Sequence, residues 1–148
     1  MAAVIVLVAL IVGVRLLASI PPPGIWREPP IMPSDETILR LARAIAVSEG
    51  YYVEGSLPFR KNNPGALRLF GETDTITEFA TANAGWDALF EQLRKIFRGD
   101  SAYYHDGMTI AEMARVWTGG DRPDAWARNV SSYLGVSPNT RLRELVYA

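Results

Sequence analysis

The chain has no cysteine and a single histidine, His105. Disulfide staples, Cys₄ zinc sites, thiolate-ligated haem and cysteine–histidine nucleophile pairs are therefore excluded. A serine–histidine–aspartate triad would have to use His105, which lies in the polar stretch Ser101-Ala-Tyr-Tyr-His-Asp-Gly107, where a histidine is ordinarily just solvated. An excess of one charge is missing as well. Fifteen basic residues against 16 acidic ones leave a formal charge of −1, so nothing favours electrostatic capture of nucleic acid. No metal and no cofactor are expected, and any chemistry has to run on carboxylates.

What is present divides into three parts. At 148 residues, 49% hydrophobic and 21% charged, the chain suits one globular domain and is too short for two ordinary ones. Residues 2–14 are unbroken apolar side chains or glycine, and after Arg15 the run continues as Leu16-Leu-Ala-Ser-Ile20. As a helix, residues 2–20 would reach about 28 Å, close to the thickness of a hydrocarbon core. Arg15 lies toward one end, where its head group can snorkel to the interface. Residues 1–20 are thus expected to be a transmembrane anchor. A cleaved signal peptide is the alternative, with Leu17-Ala-Ser19 as a poor cleavage site and no basic residue ahead of the apolar run. The positive-inside tendency would keep the side bearing Arg15 and Arg27 cytoplasmic, which opposes a function outside the membrane.

Residues 21–33 hold six of the ten prolines. They read as a stiff polyproline II spacer, about 40 Å long at roughly 3.1 Å per residue. Trp26 in this stretch suits either an interfacial anchor or packing onto the domain.

The domain, residues 34–148, reads as mostly helical. Ser34-Asp-Glu36 is a capping serine followed by two acids where the macrodipole favours negative charge. Ile38, Leu41, Ala42, Ile45 and Ala46 then form one apolar face, and Gly50 ends the helix. Residues 51–65 read as irregular and finish in the turn Asn62-Asn-Pro-Gly65. Residues 66–70 and 75–79 alternate with period two around Gly71-Glu-Thr-Asp74, which predicts a small β-hairpin. Trp86, Leu89, Phe90, Leu93, Ile96 and Phe97 mark a second amphipathic helix, with Thr81 or Asn83 near its start. Thr109-Ile-Ala-Glu112 is a capping box leading into Met113, Val116 and Trp117. After the break Thr118-Gly-Gly-Asp-Arg-Pro123, a further helix carries Trp126, Val130, Tyr133 and Leu134 and stops at Gly135. Residues 141–147 suit a last turn or short helix.

Glu49 continues the apolar face of the first helix. A carboxylate on a buried helix side is uncommon unless it is paired or used. Desolvation and the negative end of the helix dipole both disfavour its charge and raise its pKa, as a general acid at neutral pH requires. The plainer alternatives are a glutamate that swings into solvent past Gly50, or one paired with Arg43, Arg60 or Lys61.

Glu49-Gly-Tyr-Tyr52, a short loop and Arg60-Lys-Asn-Asn-Pro-Gly-Ala-Leu-Arg68 together resemble the lysozyme-like muramidases and lytic transglycosylases of phages and prophages. Phe79-Ala-Thr-Ala-Asn-Ala-Gly-Trp-Asp-Ala-Leu89, Thr109-Ile-Ala-Glu-Met-Ala-Arg-Val-Trp-Thr-Gly119 and the segment from Asp124 to Val136 extend the likeness over roughly residues 37–142. The resemblance implies an α+β, mostly helical lysozyme-like fold with a glycan groove beside a small hairpin. It makes Glu49 the catalytic acid. It places Asn62, Asn63 and Gly65 in a turn bordering the groove, with Ala66 where asparagine is common in the family. It also makes Tyr51 and Trp117 candidates for sugar contact, although both also suit plain packing. Trp117 stands near the place of a family tyrosine that positions the acid, and it lacks that hydroxyl.

Hydrolysis by the usual routes needs a second carboxylate, about 5–5.5 Å from the first for retention or 6.5–9.5 Å for inversion. Glu54, Glu72, Asp74 and Glu78 are available, and none is singled out by its spacing. A lytic transglycosylase needs one acid, so that reaction is expected here: cleavage of the MurNAc–GlcNAc bond of peptidoglycan by Glu49. The expected setting is a monomer anchored in the inner membrane, its catalytic domain facing the periplasm or cell wall, or carried in a virion. The alternatives are an inactive lysozyme-fold protein that binds glycan in a virion or secretion apparatus, and a hydrolytic signal-anchor endolysin. The topology is testable in cells. The full chain should resist alkaline carbonate extraction, with its domain open to protease added outside spheroplasts; a periplasmic product shortened near Ser19 would identify a signal peptide instead.

Overall fold

The computed structural model describes residues 32–68 and 75–147. The expected anchor, nearly all of the proline-rich spacer and the tip of the expected hairpin lie outside the described residues. Among the described residues no helix is long and apolar enough to cross a membrane.

Among the described residues, five α-helices and a 3₁₀ helix carry the domain. Helix α1 (Asp35–Ser48) starts where the Ser34 hydroxyl accepts a hydrogen bond from the Thr37 N–H at 3.1 Å. It buries Ile38, Leu41, Ala42, Ala44, Ile45 and Ala46 along one side. It ends at Glu49, whose N–H donates to the Ile45 carbonyl at 2.8 Å, and the chain leaves through Gly50 at φ +72°. That left-handed conformation costs an ordinary L-residue about 1–2 kcal/mol, so glycine at this position is what lets the chain turn directly after Glu49.

Within the stretch read as irregular, a four-residue helix α2 (Leu57–Arg60) forms. Ser56 caps it by accepting from the Phe59 N–H at 3.2 Å, and Pro58 sits in its first turn, where a missing N–H does no harm. Helix α3 (Ala82–Arg98) is capped by Thr81 and stopped by Gly99. Helix α4 (Ile110–Trp117) has the predicted capping box, with Thr109 and Glu112 satisfying each other's backbone N–H groups. Helix α5 (Pro123–Leu134) ends at Gly135, and the 3₁₀ helix (Leu142–Tyr147) closes the chain.

Helix α1 packs against both α5 and α3, and α4 packs against α5. The core consists of Leu41 and Ile45 of α1, Leu89, Leu93, Ile96 and Phe97 of α3, Ile110 and Met113 of α4, and Trp126 and Val130 of α5, with Leu142 and Leu145 beneath. The C-terminus of α1 is thereby held among the other helices.

The expected mostly helical architecture is what the described residues show. Among the described residues no strand forms, and the one isolated bridge joins Thr109 to Arg141, away from the expected hairpin. Among the described residues the two arms of the expected hairpin are joined by a backbone hydrogen bond from the Thr77 N–H to the Leu67 carbonyl at 2.8 Å. The fully buried Asn63 fastens the same place. Its amide donates to the carbonyls of Leu67 (2.9 Å) and Thr77 (2.8 Å), and its Oδ1 accepts from the Leu67 N–H at 2.8 Å. A side chain thus joins the two arms beside the Thr77–Leu67 backbone bond.

The turn also carries backbone strain at Ala66, whose φ is +48°. Asparagine tolerates this region better than alanine. Ala66→Asn should stabilise the domain by up to about 1 kcal/mol. Gly85→Ala should destabilise it by about 1–3 kcal/mol, because a Cβ there would overlap the Asn62 carbonyl. Urea denaturation of both variants checks the pair, and an unchanged midpoint in either would contradict the packing described.

Candidate functional site

Glu49 sits where three segments meet: the end of α1, the start of α5 and the end of α4. Its side chain is half-buried. Oε1 accepts a hydrogen bond of 2.7 Å from the indole Nε1–H of Trp126. Trp126 itself is 5% exposed, so its N–H has little recourse to water and needs an acceptor in the protein. The packing of α5 on α1 brings the two together across 77 positions of sequence.

A second indole stands beside the first. The rings of Trp117 and Trp126 lie 6.0 Å apart at 33°, and Tyr104 lies 5.7 Å from Trp117 on another side. The Trp117 N–H donates to the Gly65 carbonyl at 3.2 Å. It still lies near enough to Glu49 to favour the carboxylate form.

Burial pushes the Glu49 carboxyl above its ordinary value, and the N–H groups of Trp126 and then Trp117 pull part of the way back. No charged side chain among the described residues contributes. Glu49 forms no ion pair there, and Lys61 instead lies 3.7 Å from Glu78. Burial also pushes the Tyr104 hydroxyl up to about 12, so it stays protonated through the physiological range. The result is a carboxyl group that holds its proton to higher pH than an exposed glutamate, held by one indole and flanked by aromatic surface. Such a group can give up a proton and take one back.

The other residues singled out in the sequence fall into two groups. Asn62, Asn63 and Gly65 reach the site through the backbone they organise. Asn62 Nδ2 donates to the Phe79 carbonyl at 2.9 Å, Asn63 ties the two arms together, and Gly65 offers its carbonyl to Trp117. Tyr51 packs its ring against Tyr52, Phe59 and Trp86, with centroids 5.5, 6.4 and 5.6 Å away, which makes it the centre of a separate aromatic cluster. Of the candidate second acids, Glu54 is exposed, Glu78 is exposed and salt-bridged, and Glu72 and Asp74 lie outside the described residues.

Among the described residues no group of three or more acidic or histidine side chains is placed to hold a metal ion. A small cavity between the first turns of α1 and Leu134, Val136 and Leu145 lies toward the opposite end of α1 from Glu49.

The sequence reading missed Trp126 as a site residue, placing it only in an apolar stripe. The available signal was chemical: an indole on a buried helix face needs an acceptor, and Glu49 was the unpaired carboxylate assigned to the same interior. Compared with family models, curated proteins and solved structures, the chain matches none.

The raised pKa has a consequence for stability. In the window between the unfolded value, near 4.5, and the higher folded one, the folded chain binds more protons than the unfolded chain. The stabilising contribution of protonated Glu49 is complete below the unfolded value and is lost as pH rises through the folded value. Glu49→Gln, which stays neutral and keeps an oxygen for Trp126, should therefore melt higher than wild type at pH 7–8. The gap should close below about pH 4. Thermal melts across pH check this, and a wild type more stable than Glu49→Gln at pH 8 would contradict it.

Proposed function

We propose that this chain cleaves the glycan strands of peptidoglycan as a membrane-anchored lytic transglycosylase with a lysozyme-like domain. The observation that carries the reading is the half-buried Glu49 carboxyl, raised by desolvation and fixed by the Trp126 indole at 2.7 Å. A raised carboxyl pKa favours proton donation by a general acid. The order of motifs from Glu49-Gly50 through Asn62-Asn-Pro-Gly65 to Trp117 and the segment after Asp124 supports the choice of substrate. The apolar residues 2–20 and the proline-rich residues 21–33 support a domain held off a membrane on the side facing the cell wall.

In this reading Glu49 donates its proton to the oxygen bridging MurNAc and GlcNAc, and the glycosidic bond breaks. The acetamido group of the substrate supports the positive charge at the anomeric carbon. Glu49, now a carboxylate, accepts the proton of the muramic 6-hydroxyl as that oxygen closes a 1,6-anhydro ring. The acid is restored and no water is consumed. A hydroxyl held within the same sugar has an effective molarity that can exceed that of water by orders of magnitude. Among the described candidates, Glu54 is exposed to solvent and the exposed Glu78 pairs with Lys61, which favours ring closure over hydrolysis.

Digestion of purified cell walls tests both parts. Wild type should release muropeptides one water lighter than hydrolytic products, without new reducing ends. Glu49→Gln should stay folded and lose activity by a factor of at least about 100, while Glu54→Gln and Glu78→Gln lose only a few-fold. Full activity in Glu49→Gln would remove Glu49 from the chemistry. Reducing-end products lost on replacing a second acid would identify a hydrolase.

A further inference from the structure

We infer that Trp117 is a positioning residue for Glu49, acting through the Trp126 ring and the Gly65 carbonyl, and is not a surface on which sugar stacks. The role in catalysis rests on the function proposed above; the positioning itself rests on geometry. Trp117 is partly buried and packs against Trp126 at 6.0 Å and Tyr104 at 5.7 Å, which limits the ring surface left for a sugar. Its one polar atom is also committed, donating to the carbonyl of the buried Gly65 at 3.2 Å. The connections therefore run in one line. The Asn62–Ala66 turn holds Trp117 by its N–H, Trp117 packs on Trp126, and Trp126 donates to Glu49 at 2.7 Å.

That line explains why a turn distant in sequence bears on the acid. Asn63 fixes the turn through three hydrogen bonds, and α3 presses on it where Gly85 meets the Asn62 carbonyl. Loss of the Trp117 N–H would leave the Gly65 carbonyl without its donor and free the second ring to shift. Burial and the two indoles are what bear on Glu49 here. Tyr104, the titratable group packed on Trp117, stays neutral, and no charged group of α1, α4 or α5 contributes.

Trp117→Phe separates the roles, because it keeps an aromatic ring and removes the N–H. In the full chain acting on purified glycan strands, it should lower kcat by about tenfold or more with KM within about twofold, since small displacements of a catalytic group are costly. It should also move the pH profile upward, as one group favouring the carboxylate is gone. Trp117→Phe with unchanged kcat and pH profile would overturn the inference, as would a loss confined to KM. A second readout needs no turnover. In the ¹⁵N-labelled wild-type chain in detergent, the indole N–H signals of Trp126 and Trp117 should move with one shared midpoint and stay still in Glu49→Gln. A Trp117 signal insensitive to that titration overturns the inference even if no glycan is cleaved. A shared midpoint in a protein without cleavage would uphold the positioning and reject only the proposed reaction.

Discussion

The hydrogen bond from the Trp126 indole to the Glu49 carboxyl is the contact on which the site depends. It closes the gap between the end of α1 and the first turn of α5, and it gives each partner what burial removed: an acceptor for an indole N–H and a donor for a carboxyl oxygen. Leaving either alone in the interior would cost about 1–3 kcal/mol. The bond also limits how far the pKa can climb. Desolvation raises it, while the indoles, as donors, favour the charged form and hold it back. The last turn of α1 has no basic residue, so nothing on that helix offsets the negative end of its dipole beside the carboxyl. A carboxyl poised between these effects can both release and recover a proton.

The surrounding structure serves to keep that carboxyl in place. Gly50 turns the chain away immediately after it. The Asn62–Ala66 turn is built around a fully buried amide, with three consecutive buried residues, Asn63, Pro64 and Gly65. It accepts a left-handed alanine at Ala66, and it is braced by the close approach of α3 at Gly85. Such local strain persists only where surrounding contacts over-determine the backbone. Through Gly65 and Trp117 this turn is joined to the aromatic wall behind the acid.

Much of the helical framework was legible in the sequence because its signals are local. The caps Ser34, Thr81 and Thr109, the breaks at Gly50 and Gly135, and the helix start at Pro123 each act within one turn of themselves. The apolar face of α1 put Glu49 toward the interior by periodicity alone. The buried tie at Asn63 was not legible, because period-two alternation does not show that a side chain outside the alternating segment would bond the backbone of Leu67 and Thr77. Helix α2 was missed because four residues carry no apolar period, although Ser56 and Pro58 were a usable start signal. Trp126 read as core, and Trp117 as core or a sugar contact, because an apolar stripe does not show where an indole N–H points. Their partners, Glu49 and Gly65, lie 77 and 52 positions away in the chain.

The account stands on a proton held by one side chain, so the most direct measurement is a ¹³C titration of the Glu49 carboxyl in the full chain. The resonance should follow a midpoint above 4.5, the ordinary glutamate value, and be absent from spectra of Glu49→Gln. A midpoint at or below 4.5 would show that the indoles outweigh burial and that the site does not favour the protonated acid. That result would contradict its role as the acid.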